Sequence, residues 1–126
     1  MPSTESCGQE YRVAVYGSLK AGRHNDHYLR TATLVARSKT APEYTMIDVG
    51  PYPAIIPAGD TPIEVEVYAV DSDTLKALDE LEDHPDRYLR SLIRIENLDA
   101  YIYILTKQGM RGIPNGKQRI IETGCW

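Results

Sequence analysis

The sequence predicts an α+β fold, in which a mostly antiparallel sheet or open barrel carries helices at its side or end. Segments with the alternating, β-branched pattern of strands outnumber helical segments by a wide margin. Only one segment combines a helix start signal, an apolar face and a stop signal. The chain has 126 residues, of which 42% are hydrophobic and 25% are charged. That balance is typical of a globular protein, and we expect one domain at 11–126 after a flexible leader at 1–10.

The expected strands are rich in β-branched and aromatic residues and stop at glycine, proline or asparagine turns. Their expected bounds are 12–16, 31–40, 43–49, 54–56, 63–70, 88–96 and 100–106. The clearest strand places Val65 and Val67 on one face and Glu64 and Glu66 on the other. This two-residue period is that of a strand whose two faces meet different surroundings.

Glycine and proline mark the expected breaks between these strands. Residues 50–53, Gly-Pro-Tyr-Pro, cannot form regular structure because proline lacks a donor and fixes φ. The strand at 54–56 is expected to close at Pro57, and 97–99 is expected to form a hairpin turn. The tail from Lys107 onward is predicted to be mostly loop because of its glycines and its proline.

One helix is predicted over 74–83. Residues 71–73, Asp-Ser-Asp, supply the N-cap candidates, and Pro85 stops the helix. A much weaker helical pattern lies at 24–29. We therefore expect the helical part of the fold to be small.

The predicted helix has one carboxylate on its apolar side. At about 100° per residue, Glu82 falls between two leucines, whereas Glu80 falls on the opposite side. Burial of a carboxyl group raises its pKa, and a pKa near the working pH suits a general acid or base. In the alternative interpretation, Glu82 reaches solvent at the helix end or pairs with Arg87 or Arg90.

The first strand ends in the sequence Tyr16-Gly17-Ser18-Leu19. Gly17 lacks a Cβ, so it permits positive φ and a close approach of the backbone to a ligand. Successive N–H groups in such a turn can form a site for a carboxylate or an oxyanion. The sequence is not a P-loop, because no Gly-Lys-Ser/Thr follows. An ordinary strand-to-loop turn is the alternative.

Composition excludes several other classes of function. A net charge of −4 argues against general affinity for nucleic acid, and no apolar run approaches the ~20 residues of a membrane span. The polar N-terminal segment lacks the features of a signal peptide, so we expect a cytoplasmic protein. We expect Cys7 and Cys125 to be two reduced thiols, with one disulfide as the alternative. The three histidines, His24, His27 and His84, are interpreted as polar loop residues rather than metal ligands.

Five motifs together resemble one known family. They are VYGSLKAGRHN (15–25), GPYPAII (50–56), EVEVYAVD (64–71), LDELEDHPDRYLR (78–90) and ETGCW (122–126). In this order and spacing they resemble the γ-glutamylcyclotransferase-like superfamily, which includes the plant AIG2-like proteins and the γ-glutamylamine cyclotransferases. The resemblance runs from Val13 to the C-terminus, but 107–121 matches no family motif, and Cys125 stands where relatives commonly have Asp.

The resemblance implies a fold and a site. The fold is a small mixed, mostly antiparallel β-barrel flanked by helices, with a cavity at one end. The catalytic acid/base of the family corresponds to Glu82. The loop that holds the glutamyl part of the substrate corresponds to Tyr16, Gly17, Ser18 and Leu19, whose N–H groups are candidates for binding an oxyanion. The tyrosine of the family's Pro-x-x-Tyr-x-Arg motif corresponds to Tyr88, with the expected role of a pocket wall and hydroxyl donor.

The resemblance also implies a reaction. The α-amine of a γ-glutamyl compound attacks its own γ-carbonyl, which releases 5-oxoproline and a free amine without a metal or cofactor. The implied partner is a small γ-glutamyl substrate, with no nucleic acid and no membrane, and no oligomeric state is specified. A γ-glutamylamine is favoured over a γ-glutamyl amino acid or a γ-glutamyl biosynthetic intermediate. A non-catalytic protein that binds a small molecule in the same cavity is the alternative.

Overall fold

The structure is a computed structural model that describes residues 10–17, 20, 26–49, 53–111 and 119–126. Apart from Glu10, the expected leader lies outside the described residues, and the expected single domain stays a prediction. None of the helices in the described ranges is long and apolar enough to cross a membrane.

Eight strands and two helices make up the described part of the chain. The strands are β1 (Tyr11–Val15), β2 (Thr33–Lys39), β3 (Tyr44–Asp48), β4 (Pro53–Thr61), β5 (Glu64–Val70), β6 (Tyr88–Ile95), β7 (Leu98–Leu105) and β8 (Arg119–Ile120). The helices are α1 (Ser72–Leu81) and α2 (Lys107–Arg111), and a 3-10 turn covers Asp26–Leu29. This content confirms the predicted α+β class.

The strands form two sheets. The larger has the order β2-β5-β1-β7-β6, and the smaller has the order β4-β3-β8. Only the β1–β7 pairing is parallel, so the sheets are mixed and mostly antiparallel. The hydroxyl of Ser38, near the end of β2, donates to the carboxylate of Glu96, just beyond β6. This contact joins the two outer strands of the larger sheet through side chains. The backbone pairings of the described strands do not close a barrel, so the predicted barrel stays a prediction.

Strand β1 is buried on both of its faces. Val13 and Val15 pack in a cluster with the leucines of α1, whereas Ala14 and Tyr16 pack in a second cluster with residues of β3 and β4. All four side chains are at most 7% exposed. A strand covered on both sides needs an unbroken apolar sequence, which explains the Val-Ala-Val-Tyr run. The end of β1 consequently lies between the two halves of the core.

Two expectations about the fourth strand are wrong: it begins at Pro53, inside the segment expected to be irregular, and it does not end at Pro57. A proline is tolerated as the first residue of a strand. Strand β4 continues to Thr61, which pairs with Tyr44, although the next residue of β3, Thr45, pairs with Ile56. This bulge places 57–60 outside the ladder, where they are exposed. Pro57, which lacks an N–H, is tolerated there because no hydrogen bond to the neighbouring strand is required at that position.

The expectation of a loop-rich tail is wrong at two places. Helix α2 begins after Thr106, whose hydroxyl oxygen accepts the N–H of Gly109 (2.9 Å) and so caps the first turn. A Cβ on Gly109 would lie 2.4 Å from the carbonyl oxygen of Arg87, so this glycine lets α2 approach the segment before β6. Farther on, β8 pairs with β3.

Candidate active site

Helix α1 directs its last residues toward the end of β1. The Asp71 carboxylate accepts the N–H of Thr74 (2.8 Å), so the helix begins at Ser72, two residues before its predicted start. Leu75 and Leu78 are buried, as the helical periodicity predicts. Glu82 is the C-cap residue, and its N–H donates to the carbonyl oxygen of Leu78 (2.9 Å).

The carboxyl group of Glu82 is sheltered from water. Burial raises its pKa from the usual value of 4.5 to about 7, and burial is the one cause of this shift. Within the described part of the chain, no ion pair reaches this carboxylate. Arg90, which the sequence offers as a partner for Glu82, pairs with Asp79 instead. The group can therefore exchange a proton near neutral pH.

Two buried tyrosines, Tyr16 and Tyr103, lie near this carboxyl group, and a third, Tyr88, lies near Tyr16. Tyr16, Tyr88 and Tyr103 are at most 7% exposed. Burial raises the pKa of Tyr16 well above its ordinary value, and the charges of Tyr88 and Glu82 raise it further. The pKa of Tyr103 is also raised, mainly by burial and by its hydrogen bond to Asp79, with a smaller contribution from Glu82. These couplings place Glu82 beside residues of β1 and β7.

The hydroxyl of Tyr16 has a fixed partner. It donates to the backbone carbonyl oxygen of Tyr103 at 2.6 Å, across the β1–β7 pairing. The ring of Tyr16 is thereby held in place, and its hydroxyl hydrogen is already used inside the protein.

Gly17 follows directly and makes a close contact within the protein. A Cβ at this position would lie 2.7 and 2.8 Å from the ring carbons Cδ and Cγ of Pro53, and the φ angle of Gly17 is not in the left-handed region. Close packing, rather than positive φ, therefore explains the glycine. Its carbonyl oxygen accepts the N–H of Lys20 (3.0 Å). Ser18 and Leu19, the other predicted residues of this loop, lie outside the described residues.

Asp79 and Tyr103 belong to the site although their roles are not predicted from the sequence. The hydroxyl of Tyr103 donates to one oxygen of Asp79 (2.7 Å), and Arg90 contacts the other oxygen (2.5 Å). Asp79 precedes Glu82 by three residues, which is one helical turn, and this spacing is the signal that could have indicated it. Tyr103 is found only through the register that places it opposite Arg90.

The remaining predicted polar groups have structural contacts. The His84 ring accepts the N–H of Arg90 (3.0 Å), and the His27 ring packs against Tyr28. The thiol of Cys125 donates to Glu64 (3.2 Å). In the described ranges, His, Cys, Asp and Glu form no group of three or more that could hold a metal ion. His24 and Cys7 lie outside those ranges, and metal-free chemistry stays a prediction.

Comparisons with known proteins place this chain in a family. Residues 13–126 match the family described as "Gamma-glutamyl cyclotransferase, AIG2-like". A Vibrio cholerae protein provisionally named γ-glutamylcyclotransferase is 41% identical over 117 residues, which cover 93% of this chain and 96% of that protein. Human γ-glutamylaminecyclotransferase is 35% identical over 96 residues, covering 69% of this chain and 63% of the human protein.

A solved structure has the same fold. The solution structure of the Escherichia coli protein ytfP superposes with a TM-score of 0.69 at 31% identity, covering 91% of this chain and 95% of ytfP. The sequence match over nearly the whole chain agrees with this similarity of fold. The chain therefore belongs to the AIG2-like γ-glutamylcyclotransferase family.

Proposed function

We propose that the protein releases 5-oxoproline and a free amine from a γ-glutamyl compound, with Glu82 as the catalytic acid and base. The observation that carries this proposal is the buried Glu82 carboxyl group, whose pKa of about 7 suits proton exchange at neutral pH. Family membership supplies the reaction type. The position of Glu82 beside Tyr16, directly before the glycine turn, supports a site at the end of β1.

The reaction requires a proton to be moved twice. The substrate α-amine is an ammonium group near neutral pH, so it must lose a proton before it attacks the γ-carbonyl. The Glu82 carboxylate accepts that proton, and the free amine attacks the γ-carbonyl, so that the new C–N bond closes the five-membered ring. The bond from the γ-carbon to the leaving nitrogen then breaks as Glu82 gives its proton to that nitrogen. The second proton lost by the ring nitrogen ends on the released amine, which leaves as an ammonium. Because nucleophile and carbonyl belong to one molecule, the enzyme mainly has to select the folded-back conformer.

The loop after β1 is proposed to hold the glutamyl part. Backbone N–H groups of Gly17, Ser18 and Leu19 would bind the oxyanion of the tetrahedral intermediate. The packing of Gly17 against Pro53 supports this role, because it fixes one end of the loop. The Tyr16 hydroxyl donates to a backbone carbonyl, so this residue would act through its ring and backbone.

Tyr88 is proposed to form a wall of the pocket. It is 4% exposed and close enough to Tyr16 to raise the pKa of that residue. A buried aromatic ring beside Tyr16 would help to exclude water from this end of β1, which suits the raised pKa of Glu82.

We propose a γ-glutamylamine as the substrate class. The name of the human relative supports this choice, as does its 35% identity to this chain. A panel of γ-glutamylamines, including γ-glutamyl-ε-lysine, and γ-glutamyl amino acids tests it. The proposed class predicts the highest kcat/KM for an amine, and a preference for amino acids would contradict it.

The test of the mechanism is 5-oxoproline release by Glu82→Gln, with Glu80→Gln as the matched control. Glu80 lies two residues earlier on the same helix and is exposed. We expect Glu82→Gln to lose about 10²–10⁴-fold in kcat, because the acid/base contribution disappears, and Glu80→Gln to keep the parent rate. Release at the parent rate by Glu82→Gln would contradict the assignment. Saturable binding without product for every compound would favour the non-catalytic alternative.

A further inference from the structure

The end of α1 carries two carboxylates, one of which, Asp79, pairs with Arg90. Asp79 and Glu82 are three residues apart, so their side chains leave the helix about 60° apart and one turn apart. Residues at this spacing are neighbours on a helix surface. Arg90 on β6 and Glu82 both act on the pKa of Tyr103, in opposite directions, so both lie near the same tyrosine.

Three contacts fix Arg90 beside Asp79. Its guanidinium contacts Asp79 with an Nη1–Oδ2 distance of 2.5 Å. The guanidinium carbon lies 4.9 Å from the centroid of the Tyr101 ring, in cation–π geometry. The backbone N–H of Arg90 donates to Nδ1 of His84 (3.0 Å), which fixes the strand at this point.

Asp79 uses both of its oxygens for this arrangement. Oδ2 binds Arg90, and Oδ1 accepts the hydroxyl of Tyr103 (2.7 Å). The side chains of Asp79 and Arg90 are 22% and 23% exposed, so water competes weakly for the pair. Tyr103 therefore fixes the carboxylate in the orientation that binds Arg90.

The consequence concerns the neighbouring acid. An arginine within about 4–6 Å of a carboxylate lowers its pKa by about 1–3 units, which would cancel most of the effect of burial on Glu82. We propose that Asp79 is a positioning residue that holds the Arg90 guanidinium, so that Glu82 stays unpaired and able to exchange a proton. This inference rests on the proposed role of Glu82 in catalysis.

Other titratable groups surround the same helix end. They are Tyr16 directly after β1, Tyr88 on β6, Tyr103 on β7, His84 and Arg87 after α1, and His27 and Tyr28 on the 3-10 turn that contacts α1. All of them are unchanged in the variants below. A difference between those variants therefore reports the Asp79–Arg90 pair.

The experiment follows the Glu82 carboxyl carbon by NMR during a pH titration of the full chain. In Asp79→Asn we expect its pKa to fall by at least one unit from about 7, because Arg90 is released to Glu82. In the double variant with Arg90→Met the pKa should return to about 7 or above, and in Asp79→Glu it should stay near 7. An unmoved pKa in folded Asp79→Asn, or a fall that persists without Arg90, would overturn the proposal.

Kinetics provide the second measurement. The acidic limb of kcat/KM should move down by the same amount in Asp79→Asn, whereas a purely structural role would lower the rate without moving the limb. If Asp79→Asn does not fold, Asp79→Ser, with and without Arg90→Met, gives the same comparison. The NMR titration needs no turnover, so absence of 5-oxoproline from the parent protein would refute the proposed function without affecting the result for Asp79.

Discussion

Two arginine–carboxylate pairs of this protein differ in solvent exposure and in their expected contribution to stability and activity. Arg37 on β2 and Glu66 on β5 are 3.6 Å apart, and the arginine side chain is 65% exposed. Arg90 and Asp79 are 2.5 Å apart, and both side chains are about one-fifth exposed. Each carboxylate also accepts a tyrosine hydroxyl, from Tyr68 at 2.9 Å and from Tyr103 at 2.7 Å.

The comparison shows that burial alone does not single out a carboxylate. The Glu66 side chain is only 12% exposed, but it has a cation beside it. Glu82 is also sheltered, but burial is the one cause that shifts its pKa, which rises to about 7, and Arg90 pairs with Asp79. Under the role proposed for Asp79, the reactivity of Glu82 therefore depends on where Arg90 is held.

The largest effect is expected when the charge of Glu82 is removed, with removal of the charge of Glu66 as the comparison. Glu82→Gln should lower kcat/KM by about 10²–10⁴-fold and remove the acidic limb near pH 7, because the proton acceptor is lost. Glu66→Gln should leave kcat/KM near the parent value, because Glu66 pairs with Arg37 on the β2–β5 side of the sheet and has no part in the proposed site. Steady-state 5-oxoproline release at several pH values measures both. Equal losses would show that the distinction between the two acids is wrong.

The next effect concerns stability and pH. The pKa of Glu82 is raised in the folded state, so between about pH 4.5 and 7 the unfolded chain has released a proton that the folded chain keeps. This group therefore makes the free energy of unfolding decrease as pH rises through that window, by at most about 3 kcal/mol, and adds no further change above it. The residue keeps some contact with water, which reduces this value.

Glu82→Gln should accordingly lack this decrease and exceed the parent protein in stability at pH 8. Urea unfolding at pH 4.5 and pH 8 measures the difference, with Glu80→Gln as the control. A parent protein whose stability rises across this window relative to Glu82→Gln would contradict the raised pKa.

The smallest effects separate the two ion pairs themselves. Arg90→Met should cost about 2–3 kcal/mol, because a sheltered carboxylate loses a charged partner. Arg37→Met should cost less than about 1 kcal/mol, and 0.5 M salt should weaken that cost further. Urea unfolding at low and high salt distinguishes them. Equal decreases in the free energy of unfolding for Arg90→Met and Arg37→Met would contradict the distinction between the two ion pairs.

Features set by local sequence were predictable. The helix cap at Asp71, the burial of Leu75 and Leu78 and the orientation of Glu82 all follow from spacing along one element. The α+β class follows for the same reason, since alternation and turn residues indicate each strand separately. The family resemblance then supplied the expected roles of the loop after β1 and of Tyr88.

Features set by partners distant in sequence were not predictable. Strand β4 continues past Pro57 because its pairing with β3 contains a bulge there. The residues around Pro57 do not indicate which strand they will pair with or where the register shifts. The choice of Arg90 for Asp79 rather than Glu82 depends on Tyr101 and Tyr103, which join it only through the β6–β7 register.

The contact between Gly17 and Pro53 links two motifs that lie far apart in the chain. Because the proline ring occupies the space of a Cβ at position 17, the two positions share a single volume. A larger residue at 17 is compatible with this backbone only after the ring at 53 has been replaced by something smaller. During divergence or directed evolution, the order of these two substitutions consequently matters, and the route that changes Pro53 first is the one without a steric clash.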